Sequence, residues 1–357
     1  MGRHGRYFDW LVFIPALLLV LLGLVTLLSI ERAFFYQQLL FLSGGLLLFW
    51  LFFKIDFSIY PYLDKIIYVG STLFLLTAFL GPNVRGATRW LELGGFRMQP
   101  SEILKPLYLL AFSSFLYRYP PTKFKNVLYH TGFFIVPFLL IFKQPDLGNS
   151  IVYVSVWVSL LLVAGLPNWV FIAGFLVTGI SAPLIYELLQ YYQKLRLLTF
   201  MDPFLDPKGA GYNAIQSMIA IGSGQLFGRG FGRGTQSLLK FLPERHTDFI
   251  FASFTEEFGF VGGIVLLALF LVLLWRMLTS AHTKQVINTA FFFRMGTFVL
   301  FFTQIIINAG MNMGILPITG ITLPFVSYGG SSLLSLWVTL GIFMSAANSQ
   351  ERNPTRL

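Results

Sequence analysis

Trp10-Leu-Val-Phe-Ile-Pro-Ala-Leu-Leu-Leu-Val-Leu-Leu-Gly-Leu-Val-Thr-Leu-Leu-Ser-Ile30 contains no charged side chain. As a helix, a run of about 20 apolar residues crosses the roughly 30 Å hydrocarbon core of a bilayer. This run is too long for the core of a signal peptide, and no small-residue cleavage site follows it. We therefore expect it to be retained as the first membrane span.

The composition of the whole chain also indicates a membrane protein. Of its 357 residues, 56% are hydrophobic, 11% are charged and 40 are phenylalanine. A soluble domain of this length needs more polar side chains to cover its surface, so a soluble protein is excluded. Because the chain has no cysteine, disulfides, thiol catalysis and cysteine-ligated metals are excluded too.

Further apolar runs of spanning length occupy residues 33–53, 66–82, 128–142, 169–186, 249–275 and 289–312. The run from Leu147 to Tyr186 is too long for one crossing and breaks at Gly165-Leu-Pro-Asn168, while the run from Met295 to Gln350 breaks between Gly310 and Gly330. With a shorter, more polar span near 102–118, these runs predict an all-α integral membrane protein of about ten transmembrane helices. We expect one polytopic domain over residues 1–357.

The longest departure from the membrane is residues 187–248, which we predict to be a structured extracytoplasmic loop between helices 7 and 8. Within it, Ile215, Met218 and Ile219 share one helical face, which predicts a short interfacial or re-entrant helix packed on the bundle. The glycine-rich stretch that follows carries Arg229 and Arg233. It lacks the Gly-Lys-Ser/Thr ending of a phosphate-binding loop, so a lid or a tight turn is favoured.

Basic residues suggest which side faces the cytoplasm. They occur near both ends of the chain and in alternate loops, which by the positive-inside rule places both termini in the cytoplasm. The net charge is +10, and many of the remaining basic residues fall on the outer side. Those residues fit either anionic lipid headgroups or an anionic substrate such as a pyrophosphate. No nucleic-acid partner is expected.

Asp248 lies where a dense cluster of ionisable residues meets an apolar span. Glu244, Arg245 and His246 come just before it, and a charge in this setting is costly unless it is used. Capping of the eighth span explains it only in part. A carboxylate that faces a basic cleft can instead take a proton from an attacking hydroxyl. Arginine or lysine side chains, or a divalent cation such as Mg²⁺ or Mn²⁺, would then stabilise a departing phosphate.

Three further motifs carry candidate site residues. Pro100-Ser101 predicts a helix start with Ser101 as N-cap. Glu102 and Lys105 then lie on one face of that helix. They form either a simple ion pair or, together with Arg85 and Arg89, a group that binds phosphate. Asp146 is expected to cap the sixth span. Ser331 and Ser332, at the start of the last span, fit either an anion site or a structural turn.

These motifs together resemble the SEDS family (shape, elongation, division and sporulation), and the resemblance covers nearly the whole chain. They are, in order, Gly86-Ala-Thr-Arg-Trp90 with Gln99-Pro-Ser-Glu-Ile-Leu-Lys105, Gln144-Pro-Asp-Leu-Gly148, Leu242-Pro-Glu-Arg-His-Thr-Asp-Phe-Ile250 with Glu256-Glu257, and Pro324-Phe-Val-Ser-Tyr-Gly-Gly-Ser-Ser332. The short termini and the Phe8-Asp-Trp10 opening are more similar to elongation members of the family than to division members. Gln225 and Lys240 depart from it, since small residues are usual at these two positions.

The resemblance implies a peptidoglycan glycosyltransferase that polymerises lipid II at the outer face of the bacterial inner membrane, with a class B penicillin-binding protein as partner. It implies that Asp248 is essential to catalysis. The candidate substrate contacts are Arg85, Arg89, Glu102, Lys105, Glu244, His246, Ser331 and Ser332.

Two other classes of function remain open from the residues. A transporter or flippase of a lipid-linked precursor would also place polar residues within its spans. Such a protein would more often show inverted repeats and paired broken helices near the midplane, whereas the ionisable cluster here lies toward one face, which favours an enzyme. A non-catalytic scaffold would not need the buried carboxylates.

Overall fold

The computed structural model describes residues 7–82, 88–93, 96–189, 191–209, 211–282 and 287–352. In the first half of the chain the helices are α1 (Trp10–Ile30), α2 (Arg32–Lys54), α3 (Asp64–Thr77), α4 (Pro100–Ile103), α5 (Lys105–Arg118), α6 (Phe124–Lys143) and α7 (Leu147–Val163). In the second half they are α8 (Asn168–Leu188), α9 (Tyr191–Met201), α10 (Tyr212–Ser223), α11 (Thr235–Leu238), α12 (Ile250–His282), α13 (Thr289–Asn312) and α14 (Gly330–Arg352).

The fold is all-α, as predicted, and it is that of a multi-pass membrane protein. Within the described ranges seven helical segments are long and apolar enough to cross a membrane: Trp10–Ile30, Arg32–Lys54, Phe57–Leu80, Phe124–Lys143, Ile250–Ala281, Thr289–Asn312 and Gly330–Ser349. The described part also holds two shorter apolar helices, Leu147–Val163 and Asn168–Leu184, and the total of about ten spans stays a prediction. The only strands in the described part are β1 (Leu91–Leu93) and β2 (Phe96–Met98), an antiparallel hairpin that pairs Glu92 with Arg97.

The centre of the bundle is formed by α13 and α14, most of whose side chains are buried. The helix α14 packs along α2, while α13 contacts α5, α7 and α12. Close approach requires a small residue where α2 meets α14, because a Cβ at Gly45 would lie 2.5 Å from Cδ1 of Trp337. The segment before α1 is joined to the last part of α14, since Asn348 Nδ2 donates to the carbonyl of Tyr7 over 3.1 Å.

Two helix boundaries differ from prediction for physical reasons. The N-cap of α4 is Gln99 rather than Ser101, because Pro100 takes the first helical position that its fixed φ favours. Asp248 does not cap α12, which begins at Ile250; it lies in the preceding turn. Its backbone position is therefore set by other elements.

The loop between the seventh and eighth spans is structured, with α9, α10 and α11 in it. The helix predicted near residue 215 is α10, but its packed face was predicted wrongly. Ser217 and Ala220 are its buried residues, whereas Met218 and Ile219 are exposed. Ser217 Oγ donates to the carbonyl of Asn312 over 2.8 Å, so small side chains dock α10 on the end of α13.

Candidate active site

The backbone of Asp248 is fixed by two asparagines of α13. Asn308 Nδ2 donates to the carbonyl oxygen of Asp248 over 2.9 Å, and Asn312 Nδ2 donates to the same oxygen over 3.0 Å. Asn308 also bonds the carbonyl of Ile321 over 2.7 Å, and Oδ1 of Asn312 accepts from the N–H of Ala252 over 3.1 Å. Since both amides are buried, these bonds are protected from competition with water.

The loop between α13 and α14 holds the same turn from its other side. Ser327 Oγ donates to the carbonyl of Thr247 over 2.7 Å, and the N–H of Tyr328 donates to the carbonyl of His246 over 2.9 Å. At Gly320, whose φ is 75°, a Cβ would lie 3.4 Å from Oδ2 of Asp248. The backbone of this loop therefore packs close to the side chain of Asp248.

Burial and neighbouring charges set the acidity of Asp248. The side chain is only partly exposed, and burial, followed by the charge of Glu244, raises the pKa of its carboxyl to a net value of about 6. Arg89 and Arg196 oppose this effect and lower the pKa, while Asp146 raises it. A carboxyl with a pKa near 6 is ionised at neutral pH and is a stronger base than an ordinary aspartate.

Asp146 organises the polar groups opposite Asp248. It caps α7, as predicted, because its side chain accepts from the N–H of Asn149 over 3.2 Å. Its Oδ2 also accepts from Nε2 of Gln99 over 2.6 Å and from Nδ2 of Asn149 over 2.8 Å. Its Oδ1 lies 3.7 Å from a guanidinium nitrogen of Arg89. Asp146 thus orients Arg89 as well as ending a helix.

Glu102 and Lys105 form the predicted ion pair, with 2.6 Å between Oε1 and Nζ. Both side chains are buried. Pro106 has no N–H to offer the carbonyl of Glu102, and that carbonyl accepts instead from Oγ of Ser335 over 2.7 Å. Tyr153 donates to the carbonyl of Ser101 over 3.1 Å. The break between α4 and α5 is therefore tied to α7 and α14, and contact of Lys105 with a pyrophosphate stays a prediction.

The remaining predicted contacts have local partners. Oγ of Ser331 accepts from the N–H of Gln99 over 3.0 Å, and Oγ of Ser332 lies 3.3 Å from Oγ1 of Thr322. The ring of His246 stacks on Phe34, with 4.2 Å between centroids. Their contact with substrate remains a prediction.

Glu244, Arg85 and a divalent cation were also predicted for this site. Thr247 Oγ1 lies 3.3 Å from Oε2 of Glu244, and this carboxylate raises the pKa of Asp248 more than Asp146 does. Arg85 lies outside the described residues. In the described part of the chain no three histidine, aspartate or glutamate side chains converge in a metal-binding group.

Glu256 and Glu257 serve helix packing. Oε1 of Glu256 accepts from the N–H of Gln236 over 2.8 Å, and Oε2 accepts from the N–H and Oγ of Ser237, over 3.1 and 2.9 Å. The carboxylate of Glu256 thus accepts hydrogen bonds from backbone N–H groups at the N-terminus of α11. Glu257 accepts from the hydroxyl of Ser29, which joins α12 to α1.

The glycine-rich stretch is a tight turn against a break in α12. The break is at Gly259, whose φ is 68°. There the N–H of Arg229 donates to the carbonyl of Glu256, and the N–H of Phe260 donates to the carbonyl of Gln225, over 3.0 and 2.8 Å. The glycines allow this pairing, since a Cβ at Gly228 would lie 2.0 Å from the carbonyl oxygen of Glu257. The predicted tight turn is therefore present in the structure.

Sequence reasoning missed several residues of this site. Arg196, in α9, belongs to no motif that singles it out in the sequence, yet its charge lowers the pKa of the Asp248 carboxyl. Asn308 and Asn312 carried a usable signal, because two amides four residues apart in an apolar span share one helix face and need partners there.

The chain matches the FtsW/RodA/SpoVE family of cell cycle proteins over residues 8–352. It is 44% identical over 290 residues to the peptidoglycan glycosyltransferase MrdB of Escherichia coli K12, covering 80% of this chain and 76% of that protein. Its fold matches a chain of a peptidoglycan synthase complex that coordinates polymerization and crosslinking, with a TM-score of 0.84, 31% identity and coverage of 98% and 99%.

A crystal structure of the rod shape determining protein RodA of Thermus thermophilus also matches, with a TM-score of 0.73, 27% identity and 98% of each chain covered. The family match extends from the start of α1 to the end of α14 and includes every element that builds the Asp248 site. This chain is therefore a member of the FtsW/RodA/SpoVE family.

Proposed function

We propose that Asp248 is the general base with which this chain, a peptidoglycan glycosyltransferase, polymerises lipid II. One observation carries the proposal: a partly exposed carboxyl with a pKa of about 6 is held by its backbone and is influenced by two arginines. A base of this strength accepts a proton efficiently near neutral pH.

The reaction needs one proton acceptor and one leaving-group site. Asp248 takes the proton of the acceptor sugar 4-hydroxyl while that oxygen bonds to the anomeric carbon of the donor. The bond from this carbon to the pyrophosphate then breaks, and the lipid pyrophosphate leaves with the bonding electrons. Fixed backbone geometry supports such a step, because the base must be placed before the reaction begins.

Arg89 and Arg196 are the groups we assign to the departing pyrophosphate. Guanidinium groups bind phosphate oxygens in a bidentate manner and keep their charge at all working pH values. Arg89 is about one third exposed and is oriented by Asp146, so it can meet a ligand without losing its support. As negative charge builds on the leaving group, this attraction strengthens.

The cellular setting follows from the relatives and the charge pattern. The likeness to MrdB and to a rod shape determining protein supports a role in cell elongation, and the likeness to a synthase-complex chain supports a class B penicillin-binding protein as partner. The pairing of Tyr7 with Asn348 supports a common face for both ends of the bundle, and the positive-inside rule favours the cytoplasmic side of the inner membrane for that face. Asp248 would then face the outside.

The test is reconstitution in liposomes with lipid II, alone and with a class B penicillin-binding protein. Glycan strands are separated on gels, and lipid movement is read from the fraction of lipid II that an external reagent can modify. We expect strands from the wild-type protein. Lipid movement without any strands would contradict the proposal and favour a transporter.

A further inference from the structure

A second site lies at the membrane face opposite Asp248. A cavity of about 1040 Å³ opens there among α3, α5 and α6. The helix α6 begins at this cavity and ends at Lys143, three residues before Asp146. A helix of 20 residues is about 30 Å long. The cavity is therefore separated from the active site by the thickness of the membrane and is not part of it.

One wall of the cavity is aromatic. The ring of Phe133 lies 3.9 Å from that of Tyr68 and 4.9 Å from that of Phe115, measured between centroids. The rings of Tyr119 and Tyr129 complete the lining on this side. Tyrosines at the end of a span are typical of the membrane–water boundary. Such a wall is suited to the apolar part of a ligand at headgroup depth.

The mouth of the cavity is basic. Lys123 and Lys125 line it beside Thr122 and Asn126. Among the described lining residues none is acidic, so no carboxylate in the lining compensates the two ammonium groups. The nearby Arg118 differs, since it is paired with Asp64 over 2.9 Å. The cavity thus combines an apolar wall with positive charge at its entrance.

We propose that this cavity binds an anionic phospholipid, with the phosphodiester at Lys123 and Lys125 and an acyl chain along the aromatic wall. The volume is in the range of pockets that take drug-sized ligands, which is far more than a bare phosphate fills. The aromatic wall would gain nothing from a free anion. Lysines at a membrane surface each strengthen binding of anionic lipid about fivefold.

Three variants isolate this site. Lys123→Gln with Lys125→Gln removes the charge at the mouth. Lys54→Gln with Lys65→Gln removes two exposed charges outside the cavity lining and serves as the matched control. Gly132→Leu narrows the cavity, because Gly132 lines it and a Cβ there meets no atom within 4 Å. This last change also replaces a helical glycine, so the helix itself is not weakened.

The experiment measures lipid retained by the purified full chain in neutral detergent, by native mass spectrometry. Dioleoyl-phosphatidylglycerol, dioleoyl-phosphatidylcholine and inorganic phosphate are added in turn. Since two lysines contribute, we expect the phosphatidylglycerol to bind about twenty-fivefold more tightly than the phosphatidylcholine, and the Lys123/Lys125 variant to lose about that factor. The Lys54/Lys65 variant should stay within about twofold, and Gly132→Leu should lose bound lipid.

Three results would overturn the proposal. Equal affinity for the two lipids would show that the site does not recognise the charge of the headgroup. An equal loss in the Lys54/Lys65 control would show only diffuse attraction to the surface. Competition by inorganic phosphate at the same concentration as the lipid would show a simple anion site.

Discussion

Nδ2 of Asn312 and the carbonyl oxygen of Asp248 are joined by a hydrogen bond of 3.0 Å, and Asn308 donates to the same oxygen. Two donors from one buried helix therefore fix the residue that we assign as the base. Because α13 packs at the centre of the bundle, the position of the carboxyl depends on the core of the protein and not on the mobility of an outer loop.

Replacing either amide should slow catalysis more than it weakens substrate binding. We expect Asn308→Ala and Asn312→Ala to lower the turnover of lipid II by about tenfold to a hundredfold, since small displacements of a catalytic group have effects of this size. Gln304→Leu, one turn earlier on the same helix, removes a buried amide that does not bond the Asp248 turn. It should leave turnover nearly unchanged. Equal losses in all three variants would point to a general packing defect.

The pH dependence of turnover should follow the charge around Asp248. A pKa of about 6 predicts that the rate falls as the pH drops through 6, because the protonated carboxyl cannot act as a base. Glu244→Gln removes a charge that raises this pKa and should move the inflection to lower pH. Arg89→Gln removes a charge that lowers it and should move the inflection upward. Shifts in the same direction for both variants would contradict the electrostatic account.

The same pKa makes a prediction for stability. Folding raises the pKa of Asp248 from its usual 3.8 to about 6, so the folded state binds this proton more tightly than the unfolded chain. The contribution of this carboxyl to stability is therefore lost as the pH rises from about 4 to about 6. Asp248→Asn should melt at a higher temperature than wild type at pH 7, with the gap closing near pH 4. A gap that does not change with pH would be inconsistent with this account.

The pairing between the glycine-rich turn and the break in α12 can be tested with two alanines. Gly228→Ala should destabilise the protein strongly, by about 2 kcal/mol or more, because its Cβ would overlap the carbonyl of Glu257 and its φ is positive. Gly222→Ala has open space around it and lies in a helix, so it should be neutral or slightly stabilising. Thermal unfolding in detergent measures both. Comparable melting temperatures for the two variants would contradict the observed contact.

Features carried by continuous stretches of sequence were predictable. Apolar runs such as Trp10–Ile30 give a strong signal along the chain, since the bilayer fixes both the composition and the length of a span. The prominence of Asp248 and the Glu102–Lys105 pair also followed from short-range spacing. In each case the residues interact either with lipid or with a neighbouring turn of the chain, so the local sequence was enough to predict the interaction.

Features that depend on distant contacts were not predictable. The bonds from Asn308 and Asn312 join residues 60 and 64 positions apart, and no local pattern encodes such a pairing. The packed face of α10 was misassigned because apolar side chains at a membrane surface can face lipid, whereas Ser217 and Ala220 allow closer packing on the bundle. Asp146 was predicted as a helix cap from the local sequence. Its contacts with Gln99 and Arg89 were not predictable, because those residues lie far from it along the chain.

The most direct test of the central claim separates binding from chemistry in one variant. Lipid II affinity and strand synthesis are measured on wild type and on Asp248→Asn, which keeps the shape of the side chain and removes its basicity. We predict an affinity within a few-fold of wild type and a rate lower by about a hundredfold or more, the usual contribution of a general base. Strand synthesis near the wild-type rate, or a loss explained entirely by weaker binding, would contradict the assignment of Asp248 as the base.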